Sequence, residues 1–490
     1  MKKHIILSII LLGTLSACKK SWLEIIPQGN QVASTTDDYD KLMNDNKFYG
    51  SQAGGGFAEA QLMGDEVAAE GTYFANMNPD NDLRELYFMW KDSIYTKPNA
   101  QARALSNHLD QMYQINKIIN EVMASSGGSE TQKKAIRAEA LATRAWSNFN
   151  MANYYCKPYS AATASTDPGF PQITTADITN NNFPRGTVQD TYDFIIKDLT
   201  DALADIPARF TIATRMSKPA VEGLLGKVYL FMGRYTDALP LLKAALADVA
   251  ANGQTSLYNY NQTLGTGGSF LPITANTGPV NSPSQVVADM KESIAHKYFY
   301  SGTYSGNVTG IDGLVLTPQA QALFGPTDLR LKFYSATNKD NSVNTSGRLR
   351  RYNLRYSRWC LQLPDLYLLI AECKARTNDL AGAVADVETL RNNRMPAADA
   401  AVPAAIAGNQ NALIKFIIEE RIREFAFEGY RWFDMRRLSV DPLYAGSNYT
   451  HTIYNSNGTT TVYALKQPER LVLLFPRYIT DLNPKMINNP

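Results

Sequence analysis

Hydrophobic residues recur at helical spacing between residues 107 and 155, and this pattern predicts two helices. The first carries apolar side chains three or four residues apart, at Leu109, Met112, Ile115 and Ile119, which places them on one face of a helix. The sequence Ser-Ser-Gly-Gly-Ser then interrupts the pattern. The second predicted helix is rich in alanine on one face, so a neighbouring helix can approach it closely.

A repeated spacing of small and apolar residues predicts two helix pairs of the tetratricopeptide type, in which small residues mark where the two helices touch. The matching positions are Gly226, Ala238 and Leu242 in the first pair and Ala371, Ala383 and Val387 in the second. Two copies so far apart in the chain do not make a solenoid by themselves. We therefore expect one scaffold of helices at about 105–250 and 360–440, with a large insertion between them.

The insertion, at about residues 251–350, is rich in Asn, Thr, Ser, Gly and Tyr, and its helical periodicity fades. This composition predicts loops and short strands. Long irregular segments in a compact protein are either functional or disordered, and the many aromatic residues here argue against disorder. The region before the first helices has a similar texture, with a flexible glycine-rich loop at 53–57 and a second aromatic cluster at 73–90.

The amino terminus has the pattern of a secretory signal peptide. Two lysines precede a short apolar run at residues 5–12, and small residues lead from there to Cys18. The run is shorter than the roughly 20 residues that cross a bilayer. Because Leu-Ser-Ala-Cys is typical of a lipoprotein cleavage site, we expect residues 1–17 to be removed and Cys18 to carry a membrane-anchoring lipid. An ordinary secretory signal with a coincidental cysteine is the alternative.

Composition bears on partners and cofactors. The formal net charge is only +2 over 490 residues, whereas nucleic-acid binding needs a concentrated basic face, so we expect no nucleic-acid partner. Apart from Cys18 the chain has three cysteines, an odd number that argues against a disulfide framework and favours buried thiols. Its four histidines never stand four residues apart, and we expect neither a metal site nor a cofactor.

One short segment is strongly basic. It contains five arginines, namely Arg348, Arg350, Arg351, Arg355 and Arg358. Salt bridges to nearby carboxylates are the favoured interpretation of this segment, and an anionic ligand is the alternative.

Residues 419–437 read EERIREFAFEGYRWFDMRR, and they closely resemble the signature helix of the SusD/RagB family. The resemblance continues at 22–27, at 366–372 and at 474–479, and it covers essentially the whole mature chain, so we expect residues 18–490 to form a single SusD-like domain. It implies a mainly α fold in which tetratricopeptide-like helix pairs form a right-handed scaffold, with a loop-rich ligand-binding face and few short strands.

The same resemblance implies a function. Proteins of this family are regarded as non-catalytic, lipid-anchored binders at the outer membrane that face outward. They capture oligosaccharides and deliver them to a partner, a SusC-like TonB-dependent transporter. Nothing in the composition or spacing of this chain shows that partnership.

The charged residues of the signature helix need their own account. Glu420, Glu424 and Glu428 follow one another at a spacing of four, where like charges repel unless cations neutralise them. The candidate ion-pair partners are Arg421, Arg423, Arg431, Arg436 and Arg437. We interpret this cluster as a structural ion-pair network and assign no catalytic residue to it.

A sugar receptor needs flat aromatic surface flanked by polar side chains, because a sugar ring has an apolar C–H face and a hydroxyl rim. The two aromatic clusters offer such surface. Trp90 is the first choice for a stacking residue, and core packing is the alternative for it. The other candidates are Tyr73, Phe74, Asn81 and Asp82 in the segment at 73–90 and Tyr298, Tyr300 and Tyr304 in the insertion.

Two other functions remain open at this point. A surface glycosidase would need two carboxylates about 5 to 10 Å apart across a cleft, and no pair in the sequence stands out in that role. A peptide- or protein-binding scaffold would use the helix pairs, but the aromatic segments lie outside them.

Overall fold

The computed structural model describes residues 33–489, apart from 57, 75–80, 98–99, 178, 181, 275–276, 301–312, 338–341 and 353–354. Helices dominate it. The α-helices are α1 Thr36–Leu42, α2 Ala58–Met63, α3 Gly71–Phe74, α4 Asn81–Phe88, α5 Arg103–Glu121, α6 Glu130–Tyr155, α7 Val188–Leu203, α8 Lys218–Phe231, α9 Tyr235–Asn252, α10 Tyr260–Thr263, α11 Pro318–Ala322, α12 Leu363–Arg376, α13 Leu380–Arg391, α14 Ala404–Ala407, α15 Gln410–Phe425, α16 Tyr430–Leu438 and α17 Arg477–Leu482.

The strands are short. They are β1 Val67–Glu70, β2 Ile273–Thr274, β3 Gly278–Pro279, β4 Ser293–Tyr300, β5 Leu314–Leu316, β6 Tyr334–Ser335, β7 Arg350–Arg351, β8 Tyr356–Gln362, β9 Thr450–Tyr454 and β10 Thr460–Ala464. This content confirms the mainly α fold class predicted from the sequence.

Helices α5 to α9 form a continuous array in which each helix packs against the next. Local signals set their ends. The Ser129 side chain caps α6 by accepting a hydrogen bond from the backbone N–H of Gln132, and Thr187 begins α7 with a reciprocal capping box. Because α6 is 26 residues long and its second half is almost wholly buried, it forms the centre of this array.

The tetratricopeptide-like spacing corresponds to a close approach of helices. A Cβ atom on Gly226 would lie 2.7 Å from Leu242 Cγ and 3.1 Å from the carbonyl oxygen of Ala238, so α8 and α9 touch where the sequence has its small residues. In the second pair, Ala371 of α12 and Ala383 of α13 are fully buried in a shared core. Helix α9 packs against α12, so the two copies are neighbours in space although the insertion separates them in sequence.

A four-stranded sheet joins distant parts of the chain. Strand β1 pairs antiparallel with β5 and parallel with β9, and β9 pairs antiparallel with β10. A separate antiparallel pair, β4 with β8, places Tyr298 opposite Arg358. Strand β8 then runs directly into α12, because Gln362 is both the last strand residue and the helix N-cap.

The described cysteines test the prediction of buried thiols. Cys156, Cys360 and Cys373 are free and buried, which confirms the prediction of buried thiols. No helix in the described part of the chain is both long and apolar enough to span a bilayer.

Candidate ligand-binding face

The aromatic segment at 73–90 lies beside the four-stranded sheet, next to strand β5 of the insertion. Helix α3 follows β1, and Gly313 immediately precedes β5. A Cβ atom on Gly313 would lie 2.7 Å from the backbone N and Cα of Phe74, so the two chain segments are in direct contact. The pairing of Ala69 with Leu314 holds them there. Helix α3 of the aromatic segment at 73–90 and strand β5 of the insertion are therefore neighbours in the fold.

Trp90 is a core residue, which corrects its prediction as a stacking surface. It is only 5% exposed, its Nε1–H donates a hydrogen bond to the Met63 carbonyl at 3.1 Å, and its ring stacks on His451 with centroids 3.8 Å apart. Phe74 is 2% exposed and packs against Phe88 at 4.9 Å. Because protein atoms cover both rings, neither has a free face for a sugar, and both leave the set of ligand contacts.

His451 provides the physical reason for the burial of Trp90. The imidazole lies between Phe88 and Trp90, and its Nδ1 and Nε2 face the carbonyl oxygens of Phe88 at 2.5 Å and Gly64 at 2.6 Å. Burial lowers the pKa of His451 to about 4, although both carbonyls oppose that shift. The ring is therefore neutral at neutral pH and donates to one of the two carbonyls at a time.

Tyr298 belongs to a group of partly exposed aromatic residues. This group, here called the tyrosine surface, consists of Tyr49, Tyr298 and Tyr356. The Tyr298 ring lies 6.3 Å from that of Tyr49 and 5.7 Å from that of Tyr356, and the Tyr298 N–H donates to the Tyr49 carbonyl at 2.9 Å. Burial raises the pKa of Tyr298 despite a hydrogen bond with Asn46, so its phenol remains protonated at neutral pH.

A cavity of about 80 Å³ adjoins the tyrosine surface at Tyr356. Tyr260, Arg351 and Glu428 also line it. Arg351 Nη2 donates to Glu428 Oε1 at 2.9 Å, and the two side chains retain 12% and 15% of their exposure. Aromatic surface beside hydrogen-bonding groups is the combination that a sugar ring requires.

The other predicted contacts are placed only in part. Tyr73 falls in α3, Asn81 and Asp82 begin α4, and Tyr300 ends β4. Tyr304 and Cys18 lie outside the described residues. Among the predicted contacts whose side chains are described, Tyr298 stands on a partly exposed aromatic surface.

Tyr49 and Tyr356 are residues that the sequence did not single out. Tyr49 stands far from both predicted clusters, and Tyr356 follows Arg355 in the basic segment. Their proximity to Tyr298 depends on the pairing of β4 with β8 and on the contact between Tyr298 and the Tyr49 backbone. The alternation of Tyr298 and Tyr300 in one strand was the only local signal for this surface.

Arginines of the basic segment form hydrogen bonds and salt bridges with other groups of the protein. Arg348 Nε donates to Glu70 Oε1 at 2.6 Å while its guanidinium lies 3.7 Å from the centre of the Tyr454 ring. With the Arg351–Glu428 pair, this confirms the salt-bridge interpretation at two positions. Arg358 differs, because it donates to backbone carbonyls, including that of Asp289 at 2.8 Å.

Arginines neutralise the three glutamates at 420, 424 and 428, which confirms the predicted ion-pair network, but of the predicted partners only Arg423 contacts one of them in the described part of the chain. Glu420 contacts Arg330 at 2.7 Å, Arg423 at 2.8 Å and Arg391 at 2.9 Å. Burial alone would raise the pKa of Glu420, but the three guanidinium groups lower it to about 2. A carboxylate held this firmly in the ionised form is not a proton donor near neutral pH.

A second part of this network lies between α12, α15 and α16. Arg421 donates to Asp365 and to Asp434, each at 2.7 Å, and Arg437 donates to Asp434 and Glu372, each at 2.8 Å. The prediction that Arg436 is an ion-pair partner is wrong. It makes no salt bridge within the described part of the chain and donates instead to main-chain carbonyls, including that of Leu471 at 2.5 Å.

These features define a class of protein: a scaffold of tetratricopeptide-like helix pairs whose partly exposed aromatic face is built from the segments between the helices. Comparison with known families shows to which family the chain belongs. Residues 28–230 match a family model described as starch-binding and associating with the outer membrane, and residues 327–490 match the SusD family model. The chain belongs to the SusD/RagB family, as its signature helix predicted.

Solved structures agree on the fold. A SusD superfamily protein from Bacteroides thetaiotaomicron is 19% identical, with a TM-score of 0.69 over 93% of this chain and 100% of that one. A SusD-like carbohydrate binding protein from Bacteroides vulgatus is 15% identical, with a TM-score of 0.67 over 93% of this chain and 98% of that one. A search of curated proteins found no significant match.

Proposed function

We propose that the chain is a non-catalytic glycan-binding lipoprotein of the outer membrane, which captures oligosaccharides on the tyrosine surface. Family membership supports the general role. The observation that carries the site is the partly exposed group Tyr49, Tyr298 and Tyr356 beside the Arg351–Glu428 pair. The rings offer stacking area for the C–H face of a sugar, and the ion pair offers hydrogen bonds to its hydroxyls.

Glycan binding can be tested with the unacylated mature chain on an array that includes starch-type glucans. For the best ligand, Tyr298→Ala is expected to weaken binding by about tenfold, which corresponds to about 1.4 kcal/mol for one lost stacking contact. Tyr113→Ala is the matched control, because Tyr113 is 44% exposed on α5. An array with no bound glycan would reject the function, whereas unchanged binding in Tyr298→Ala and Tyr356→Ala would reject the site.

The absence of catalysis is part of the proposal. The support is that the carboxylates Glu420, Asp365 and Asp434 are buried against arginines. Incubation with the glycans that bind, followed by measurement of released reducing ends, is expected to show no product. Steady product formation would favour the glycosidase alternative, and binding to a peptide array but to no glycan would favour a peptide-binding scaffold.

We also propose that acylated Cys18 holds residues 18–490 on the outer face of the membrane as one domain, where the protein delivers its ligand to a SusC-like TonB-dependent transporter. Cys18→Ser is expected to release the protein from the membrane fraction. Protease treatment of intact cells is expected to degrade the wild type, and full protection would place it on the periplasmic side. Co-purification of a transporter with the tagged wild type tests the partnership.

A further inference from the structure

Strand β10 forms one edge of the four-stranded sheet. The strands lie in the order β10, β9, β1 and β5, so β10 pairs with β9 on one side and with no other strand of the described residues. The five residue pairs that join β10 to β9 follow one another without a bulge. A strand that ends a sheet presents unpaired main-chain N–H and C=O groups on its outer side, and a further strand can pair with them.

The hydrogen bonds at the two ends of the β9–β10 hairpin show which residues of β10 face outward. The Asn455 N–H donates to the Thr459 carbonyl at 2.9 Å, and the Leu465 N–H donates to the Tyr449 carbonyl at 3.0 Å. In an antiparallel ladder every second residue exchanges hydrogen bonds with the neighbouring strand. The residues between them direct their main-chain groups away from β9. These residues are Thr460, Val462 and Ala464.

This edge lacks the features that usually prevent strand pairing. Most natural edges are protected by charged side chains, by proline, by bulges or by a covering segment. Strand β10 reads Thr-Thr-Val-Tyr-Ala, without charge or proline, and its outward-facing residues are exposed, with Val462 at 59%. Its β-branched and aromatic residues favour the extended conformation. The edge is therefore open to pairing with another strand.

A second copy of the same strand complements this edge. When two copies of β10 run antiparallel about a two-fold axis at Val462, Val462 lies opposite its own copy and Thr460 lies opposite Ala464. Residues opposite one another in this register exchange both of their main-chain hydrogen bonds. Every outward main-chain group of β10 therefore gains a partner in an isologous contact, the commonest kind in protein dimers.

The side chains fit the same register. Thr461 of each copy lies opposite Tyr463 of the other, and both side chains are partly exposed. Aromatic and β-branched side chains stabilise one another across antiparallel strands. No like charges meet, because Lys466 forms an ion pair with Asp92 at 2.5 Å and comes next to the uncharged turn at Gly458 of the other copy. Gly458 has open space around it.

We propose that the protein self-associates through β10, so that the four-stranded sheets of two copies form one continuous sheet. An uncharged strand offers no charge by which a different partner would be selected, whereas its own copy matches it in register and in side chains. The paired strands bury much less than the about 1,600 Å² of a standard interface, so the dimer is weak and depends on concentration. The proposal rests neither on glycan binding nor on delivery to a transporter.

The test uses the unacylated mature chain in reducing buffer, where no disulfide links two copies. Sedimentation equilibrium at concentrations up to about 1 mM is expected to show a monomer–dimer equilibrium. Val462→Lys and Val462→Glu each place like charges opposite one another across the axis and are expected to raise the dissociation constant by more than about tenfold. An equimolar mixture of the two variants is expected to restore the dimer at low salt, because a lysine then lies opposite a glutamate. Gln132→Lys, at an exposed position on α6, is the matched control.

Hydrogen exchange locates the contact. The Val462 amide is expected to exchange more slowly at high protein concentration than at low, whereas the amides of Thr461 and Tyr463, already bonded to β9, should not change. Tyr298→Ala is expected to leave self-association unchanged. The proposal is overturned if the wild type is monomeric throughout, if Val462→Lys associates as well as wild type, or if the mixed variants stay monomeric. A monomeric wild type that binds an extended peptide, with that binding lost in Val462→Lys, would show that the edge takes a foreign strand and would also overturn it.

Discussion

Replacement of Arg421 by methionine tests whether the buried ions of the signature helix hold the scaffold together. The Arg421 side chain is 2% exposed and bridges Asp365 of α12 to Asp434 of α16, with both distances 2.7 Å. Methionine keeps much of the side-chain length and apolar volume, so the change removes mainly the charge and the hydrogen bonds.

The expected loss in the free energy of unfolding depends on which cationic partner each carboxylate retains. Asp365 retains Lys227 at 2.8 Å, and Asp434 retains Arg437 at 2.8 Å. Breaking a buried ion pair costs about 3 to 5 kcal/mol when the remaining charge has no partner. Because both carboxylates keep one cation, we expect the free energy of unfolding to fall by an amount near the lower end, about 3 kcal/mol.

Urea unfolding followed by circular dichroism measures this loss. Lys41→Met is the matched control, since the Lys41–Asp37 pair has side chains that are 72% and 71% exposed, and it should leave the unfolding midpoint unchanged. The double variant Arg421→Met with Asp434→Asn should recover part of the loss, because it removes one of the two carboxylates that lose Arg421 as a partner. A loss below about 1 kcal/mol in Arg421→Met would contradict a structural role for this network.

Three further predictions follow from buried groups. Burial lowers the pKa of His108 to about 3 from an ordinary value of 6.5. The unfolded chain therefore binds a proton that the folded chain excludes, and the free energy of unfolding falls as the pH falls. In urea unfolding, His108→Gln should reduce this pH dependence by about 1.4 kcal/mol per pH unit between about pH 6 and 4. Gly226→Ala should destabilise the protein by about 1 to 3 kcal/mol because of the close contact with α9, whereas Gly408→Ala, with open space around it, should not. Trp90→Ala should cost about 3 to 5 kcal/mol in thermal or urea unfolding, with glycan affinity of the folded variant unchanged.

The helical scaffold could be predicted from the sequence where the spacing of small residues determines which helices are in contact. The step from Gly226 to Ala238 in one helix pair recurs from Ala371 to Ala383 in the other, and each pair forms a close helix contact. The charge of the signature helix was readable for a similar reason. Three glutamates spaced four residues apart require cations nearby, and the structure supplies them from arginines, although Glu428 lies in the turn between α15 and α16.

The partners of those glutamates were predicted less well, because most lie far away in sequence. Arg330 and Arg394 neutralise Glu424 at 2.9 and 2.8 Å, yet neither belongs to the signature helix. Arg436 satisfies main-chain carbonyls although its neighbour Arg437 forms ion pairs. The spacing of the glutamates shows that they need cationic partners, but it does not show which segment of the chain supplies those partners.

The ligand-binding face was the least predictable part, since its exposure depends on contacts between remote segments. Trp90 resembles a stacking residue until β9 brings His451 against its ring. Conversely, Tyr49 and Tyr356 gain their importance only because β4 places Tyr298 between them. Local composition shows that aromatic surface is present, whereas the fold decides which of its rings face solvent.

The glutamates of the signature helix also connect the scaffold to the candidate site. Glu420 and Glu424 of α15 each bind Arg330 of the insertion, and Glu428, in the turn between α15 and α16, binds Arg351 beside the tyrosine surface. An irregular segment has few hydrogen bonds of its own with which to hold a position. Ion pairs to Glu420 and Glu424 supply that constraint for Arg330, because α15 fixes the spacing of these two carboxylates. The three glutamates, which would repel one another without cations, therefore bind two arginines of the insertion, and one of these, Arg351, lines the cavity beside the tyrosine surface.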